Sequence, residues 1–316
     1  MSMSLVMFGW RGGYNNRNSI ADEPFGGAGD ERRVSHQEKN NMPESSLPDL
    51  SLDGWRATRD TVQAYAEILS GVRKSLAPRQ KHWWHISLRV GATGLTTTPL
   101  AAGGGVVELL LNLVNHRLDI TTNRGKRAEI ELHGQSAPDF CDQVLRSLAS
   151  FGVRPALDRA AYAALGAQTY DKAAVARFWQ VLPRVNGALR QLRSEHRGES
   201  GAVQFWPHHF DVAVLLFTGR RVPGVDPADE ESADENMNFG FLPGDDGIPE
   251  PYFYATAYPT PAGITDAPLP HGAYWHTEGW TGAVLRYANL RTQAQPIERL
   301  LDYLRAARDA AAPRMK

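Results

Sequence analysis

The order of elements in this chain is written twice. Residues 55–76 have the spacing of an amphipathic helix and run into Arg79-Gln80-Lys81-His82-Trp83-Trp84-His85 and an apolar strand at 85–90. Residues 171–195 have the same spacing and run into Gln204-Phe205-Trp206-Pro207-His208-His209-Phe210-Asp211 and an apolar strand at 211–217. Each half then closes alike, with a short strand, a turn and a helix, at 128–132 and 138–151 in the first half and at 283–287 and 296–310 in the second. A repeated helix–strands–helix unit restricts the chain to an α+β fold, because a strand meander with short turns is antiparallel and must cover one face with helices. We expect two α–β(3–4)–α halves with helices packed on one face of antiparallel sheets, joined about a pseudo-two-fold axis.

With 316 residues, the chain is long enough for two such halves around one core. Residues 12–41 are rich in Gly, Asn, Arg and Glu and carry no apolar period, so ordering them would cost more entropy than it returns. Residues 1–47 are therefore expected to be a disordered extension, with Met42 as the start the natural protein uses. The first half is expected at 48–155 and the second at 156–316, the two forming one domain.

Within the first half, Trp55, Val62, Tyr65, Ala66, Leu69 and Val72 form the buried helical stripe, with Ser51 or Asp53 as N-cap. Strand alternation over 82–90 places His82, Trp84, Ile86, Leu88 and Val90 on a core face and Trp83, His85, Ser87 and Arg89 on the other. Short turns at Gly103-Gly104-Gly105, Asn115-His116-Arg117 and Asn123-Arg124-Gly125 separate further strands. In the second half Val175, Phe178, Leu182, Val185, Leu189 and Leu192 make the stripe. Strand 211–217 is apolar on both faces, the mark of a covered central strand. Residues 226–238 are acidic and apolar-poor and read as a solvated loop.

His82-Trp83-Trp84-His85, Gly94-Leu95-Thr96-Thr97, Phe210-Asp211, Gly219-Arg220-Arg221-Val222-Pro223 and Glu250-Pro251-Tyr252-Phe253-Tyr254 together resemble an uncharacterised bacterial family catalogued only as a domain of unknown function. The resemblance runs from about Trp55 to the last helix, and His208 and His209 stand where that family's pattern has small residues. It implies a shared fold and carries no activity.

Composition removes several functions. The net charge of −1 offers no pull toward nucleic acid or an anionic membrane, and no apolar run approaches the ~20 residues of a membrane span. A single cysteine, Cys141, excludes an internal disulfide and reads as a small buried hydrophobe. Together these readings place the protein in the cytoplasm. The sequence contains no phosphate loop, dinucleotide fingerprint, Gly-x-Ser-x-Gly elbow or cysteine-rich zinc pattern. We therefore expect no cofactor and no bound metal.

Candidate chemistry gathers at the two strand starts. Aligning the apolar strands sets His85 against Asp211, a general acid/base pair in which the carboxylate would raise the imidazole pKa. Arg89 and Arg220 can grip an anionic group, while Trp83 and Tyr254 can supply an aromatic wall and His209 shares a strand face with Asp211. This mix is that of a small-molecule pocket, so the favoured reading is binding, with or without catalysis, in a cleft between the halves. The structural alternative makes the same residues packing and hydrogen-bonding groups at two strand starts. Two functional alternatives from other classes stand beside it: a non-catalytic interaction protein, or a metal-dependent enzyme built on the histidines. Oligomeric state cannot be read from the sequence.

Overall fold

A computed structural model describes residues 46–315, save Ala167 and Glu231. The extension expected at 1–47 lies outside the described residues as far as residue 45. Leu47 itself is buried, and its amide donates to the Arg291 carbonyl at 2.9 Å.

The first half runs α1 (Arg56–Leu76), β1 (Arg89–Val90), β2 (Gly94–Thr96), β3 (Leu100–Ala102), β4 (Gly105–Asn112), β5 (Arg117–Thr122), β6 (Arg127–Glu131) and α2 (Ala137–Ser150). The second runs α3 (Lys172–Glu195), β7 (Gln204–Trp206), β8 (Asp211–Arg221), β9 (Asp234–Leu242), β10 (Tyr252–Tyr258), β11 (Tyr274–His276), β12 (Gly282–Arg286), α4 (Ala288–Arg291) and α5 (Pro296–Ala311). The fold is α+β, with every strand pairing antiparallel.

The helices form where the spacing places them. Every residue of the expected α1 and α3 stripes is buried. Ser136 caps α2 by accepting from the Asp139 amide, and Asp171 caps α3 by accepting from the Ala173 amide. The α1 cap differs from expectation: Ser51 precedes a short 3₁₀ turn, and Trp55 sits at the N-cap with no side-chain hydrogen bond. Pro78 follows the end of α1, as a residue that cannot continue a helix should.

In the first sheet the order is β1-β2-β4-β5-β6, and β3 joins β4 beside β2. Because β5 occupies the other edge of β4, β2 and β3 act as one strand interrupted at Thr97-Thr98-Pro99. The second sheet has the order β7-β8-β9-β10-β12-β11. Leu88 and Phe205 exchange both backbone hydrogen bonds, at 2.8 and 2.9 Å, and so stitch the two sheets edge to edge. One apolar cluster lies under both sheets, drawing on α1, α2, α3 and α5 and on alternate residues of the strands.

The outer faces of the sheets differ. On the first sheet that face is polar, with Thr96–Glu108, Asn112–Asp119 and Arg117–Glu129 contacts along it. On the second sheet it is covered. Trp206, Ala213, Tyr252, Tyr254 and Val284 form a separate buried cluster with Ile248, and Trp84, Ile86 and Trp280 pack against it.

Two expectations are corrected. The strand expected at 85–90 exists only from Leu88 onward, so the alternation read over 82–90 does not hold. His82 and Trp83 adopt left-handed backbone angles, φ 62° and 58°. The buried Arg73 guanidinium takes the Trp84 and His85 carbonyls, and also the Thr97 carbonyl and the Thr98 hydroxyl. Those carbonyls therefore turn toward a cation instead of a neighbouring strand. The loop expected at 226–238 ends earlier, because Asp234 to Asn238 open β9, and residues 235–238 are buried. Its polarity misled the reading: Met237, Phe239 and Phe241 face the core, while the alternate positions Asn236 and Asn238 face the covered outer side.

Candidate functional site

The covered outer face of the second sheet is built by alternation. Trp206 and Asp211 are directly paired across β7 and β8, so their side chains leave the sheet on the same side. Asp211 follows a tight hairpin in which the Phe210 amide donates to the Trp206 carbonyl at 2.7 Å and Phe210 takes a left-handed φ of 57°. Tyr252 and Tyr254 share that face on β10.

Between β8 and β10 lies Gly240 of β9, paired with Ala213 on one side and Tyr254 on the other. A Cβ at Gly240 would overlap the Tyr254 ring. The missing side chain thus lets the tyrosine lie flat across β9, and its hydroxyl donates to Asp211 Oδ2 at 2.6 Å. Glycine inside a strand commonly marks such a close approach. Tyr252 donates to Asp245 Oδ2 at 2.6 Å, and Asp245 Oδ1 accepts from the Gly247 and Ile248 amides. The 245–248 turn is thereby held over the sheet, with Ile248 packed on it.

Three buried polar atoms on this face have no hydrogen-bond partner among the described residues: Trp206 Nε1, Asp211 Oδ1 and Asn238 Oδ1. Their residues are only 4–5% exposed. Burial pushes the Asp211 carboxyl up to about 6, against the opposing pull of the His209 charge and the Tyr254 hydroxyl. Burial, then the Asp211 charge, pushes the Tyr254 phenol up. The arrangement therefore offers two acceptors, one donor and a carboxyl that changes charge close to neutrality, beside aromatic rings.

The structure joins some of the sequence candidates and separates others. Asp211 and Tyr254 are hydrogen-bonded, and exposed His209 stands close enough for its charge to act on Asp211. His85 is in a different group. Its ring stacks on Trp83 at 5.7 Å, its Nδ1 accepts from the Gln80 amide at 3.3 Å, and burial followed by the Arg79 charge holds its pKa below the usual imidazole range. No hydrogen bond or ion pair joins His85 to Asp211. Trp83 lies under the Arg79 guanidinium, 5.6 Å from its ring centre, rather than beside the tyrosines.

Arg220 is nine residues along β8 from Asp211, a separation of roughly 30 Å at the rise of a strand. It pairs there with Glu235 at 2.9 Å and donates to the Met315 carbonyl at 2.6 Å. Arg221 beside it pairs with Asp234 at 3.2 Å. Arg89 donates to the Val203 carbonyl at 2.9 Å. Among the described residues no group of three or more His, Cys, Asp or Glu side chains is placed to hold a metal ion.

Trp206, Asn238, Gly240, Asp245 and Arg73 were not singled out from the sequence. Only Gly240 carried a usable signal, as a lone glycine between Phe239 and Phe241.

The chain belongs to the family described as "Family of unknown function (DUF5996)", whose model matches residues 47–316. No curated protein and no solved structure matches it. Among the described residues no helix is long and apolar enough to cross a membrane.

Proposed function

We propose that this protein binds a small, planar, nitrogen-bearing molecule against the outer face of its second sheet, in the cytoplasm. The observation that carries the reading is the unpartnered set Trp206 Nε1, Asp211 Oδ1 and Asn238 Oδ1, all buried on one face. Leaving a buried polar atom unpaired costs about 1–3 kcal/mol, so three on one face form an expensive arrangement that a ligand offsets. Two acceptors and one donor select a partner with N–H groups opposite Asp211 and Asn238 and an acceptor opposite Trp206, as in an amide, amidine or nitrogen heterocycle. Tyr252, Tyr254 and Trp84 supply the apolar walls of such a site. Trp84 comes from the first half of the chain, so the site belongs to the junction of the two halves. His209 stands at its rim.

The test is a fragment screen by thermal shift on the full chain, repeated on Asp211→Asn and Trp206→Phe. The expected result is a set of N–H-bearing planar fragments that raise the melting temperature of the parent chain and have little effect on either variant. A high-resolution crystal structure with one ordered water bridging the three atoms, together with no fragment shifting the parent, would overturn the proposal.

A further inference from the structure

A second cluster of unbalanced polar groups lies at the seam where the two sheets meet, apart from the Asp211 face. Its members are arginines. Arg89 is on β1, next to the Leu88–Phe205 stitch, and is half-buried. Arg193 is in the last turn of α3, and Arg73 is near the end of α1. Arg89 and Arg193 both reach the same short segment of chain before β7. Arg89 Nη1 donates to the Val203 carbonyl at 2.9 Å, and Arg193 Nε donates to the Ser200 hydroxyl at 3.2 Å.

None of the three makes an ion pair with a described carboxylate. By contrast, Arg220, Arg221, Arg286, Arg305 and Arg308 each do. Arg73 spends four hydrogen bonds on carbonyl and hydroxyl oxygens. Arg89 spends one: a guanidinium has five N–H donors in a planar fork, and a single side-chain hydrogen bond accounts for one of them. Burial, then the neighbouring Arg73 and Arg193 charges, lowers the Arg89 pKa to about 10.

Arg89 is thus a half-buried cation that feels the charges of two other arginines and has no ion-pair partner among the described carboxylates. The C-terminal ends of α1 and α3, which carry partial negative charge, offset part of this. No Arg89 nitrogen is both buried and unpartnered, so the edge of its fork beyond the Val203 bond is open to solvent and to a solute. That edge has the geometry that grips two oxygens of a carboxylate or phosphate at once.

We propose that Arg89 and Arg193 form a binding site for a small oxyanion at the seam between the sheets, with Arg73 contributing to the field behind them. The shared chemistry is two or three oxygens on one negatively charged centre. The oxyanion is either free inorganic phosphate or the charged end group of a larger molecule.

The experiment uses the full chain in chloride buffer at neutral pH, titrated with inorganic phosphate, methyl phosphate and acetate at matched ionic strength. Binding is followed by calorimetry and by melting temperature. Phosphate is expected to bind in the millimolar range or tighter and to raise the melting temperature by several degrees over chloride. Arg89→Gln and Arg193→Gln, which remove the charge and the forked donors, should each weaken binding by about ten-fold or more. Arg286→Gln, which alters an exposed arginine paired with Glu250 on the second sheet, should leave binding unchanged. Methyl phosphate or acetate binding as well as phosphate would assign the site to an end group; preference for phosphate would assign it to the free ion. If all three anions behave as chloride does, or if the Arg193 variant responds as the parent does, the proposal is overturned. Arg193 is exposed, so its variant decides the matter even if Arg89→Gln fails to fold.

Discussion

Replacing Asp211 by asparagine should make the protein less sensitive to pH while leaving its fold intact. In the folded chain burial raises this carboxyl from an ordinary value of 3.8 to about 6. A folded-state pKa above the unfolded one means that the folded state holds its proton more tightly. The stability linked to that proton is fully present below pH 3.8 and is lost as pH rises through about 6. At about 1.4 kcal/mol per pH unit the loss amounts to about 3 kcal/mol by neutral pH. Asparagine is never charged, so it escapes this loss. Its carbonyl can still accept from the Tyr254 hydroxyl, now at 2.6 Å from Asp211 Oδ2. Its amide would take the place of Asp211 Oδ1, which has no partner among the described residues, and so leave a buried donor unpaired, a cost of roughly 1–3 kcal/mol that does not vary with pH. The diagnostic quantity is therefore the slope, not the offset. Urea unfolding of both proteins at several pH values, followed by tryptophan fluorescence, gives the difference in unfolding free energy. That difference should shift in favour of the variant by about 3 kcal/mol across the window from 3.8 to about 6, and then level off. A flat difference across the window would refute the account of a buried, titrating carboxyl.

Four further outcomes can be checked. Tyr254→Phe removes the hydroxyl that favours ionised Asp211, so the carboxyl should titrate above about 6 by carbon-detected NMR, with stability at neutral pH falling by about 1–2 kcal/mol. Gly240→Ala drives a methyl group into the Tyr254 ring; unfolding should become easier by about 1–3 kcal/mol, and the fragment response should disappear with the displaced tyrosine. Arg73→Met leaves the carbonyls of Trp84, His85 and Thr97 without their donor inside the protein and should cost about 3–5 kcal/mol in chemical denaturation. Raising pH above the usual thiol range should leave Cys141 unreactive toward a small alkylating reagent in the folded protein, because burial pushes its pKa up and shields it.

The helices were legible because their apolar spacing is strong and their ends are marked. Asp171 and Ser136 cap α3 and α2, and Pro296 opens α5. The site was legible only in part. Asp211 and Tyr254 stood out as a charge and an aromatic in apolar strands, but nothing local said that they meet across β9. That contact depends on Gly240 having no side chain, and on β9 being a strand at all. Its four polar or acidic residues among the first eight, Asp234, Glu235, Asn236 and Asn238, disguised it, because a strand covered on both faces can carry asparagines on the side that holds a polar site. The His82-Trp83-Trp84-His85 run misled the reading for a different reason. Its conformation is dictated by Arg73, a residue from the previous helix, and no strand periodicity records that.

In the first half the meander runs β1, then the interrupted β2 and β3, then β4, β5 and β6; in the second it runs β7, β8, β9, β10 and β12, with β11 added at the edge. The Leu88–Phe205 exchange lies between β1 and β7, and an antiparallel pair has a local two-fold axis at its centre. If the halves descend from one unit, that axis should relate them, and superposing 53–151 on 171–311 should place β1 on β7 and β2 on β8. Asp211, the first residue of β8, would then fall near Gly94, the first residue of β2, and not near His85. A Cβ at Gly94 would overlap the Leu111 carbonyl, so the first half has no room for an acid there. Its outer face is polar and open where that of the second is aromatic and covered. The expected result is a superposition that aligns both helices and at least four strands while leaving Asp211, Asn238 and Tyr254 without chemical counterparts. An alignment that instead places β1 on β8, with His85 over Asp211, would restore the two-fold site and defeat the argument that the binding face belongs to the second sheet.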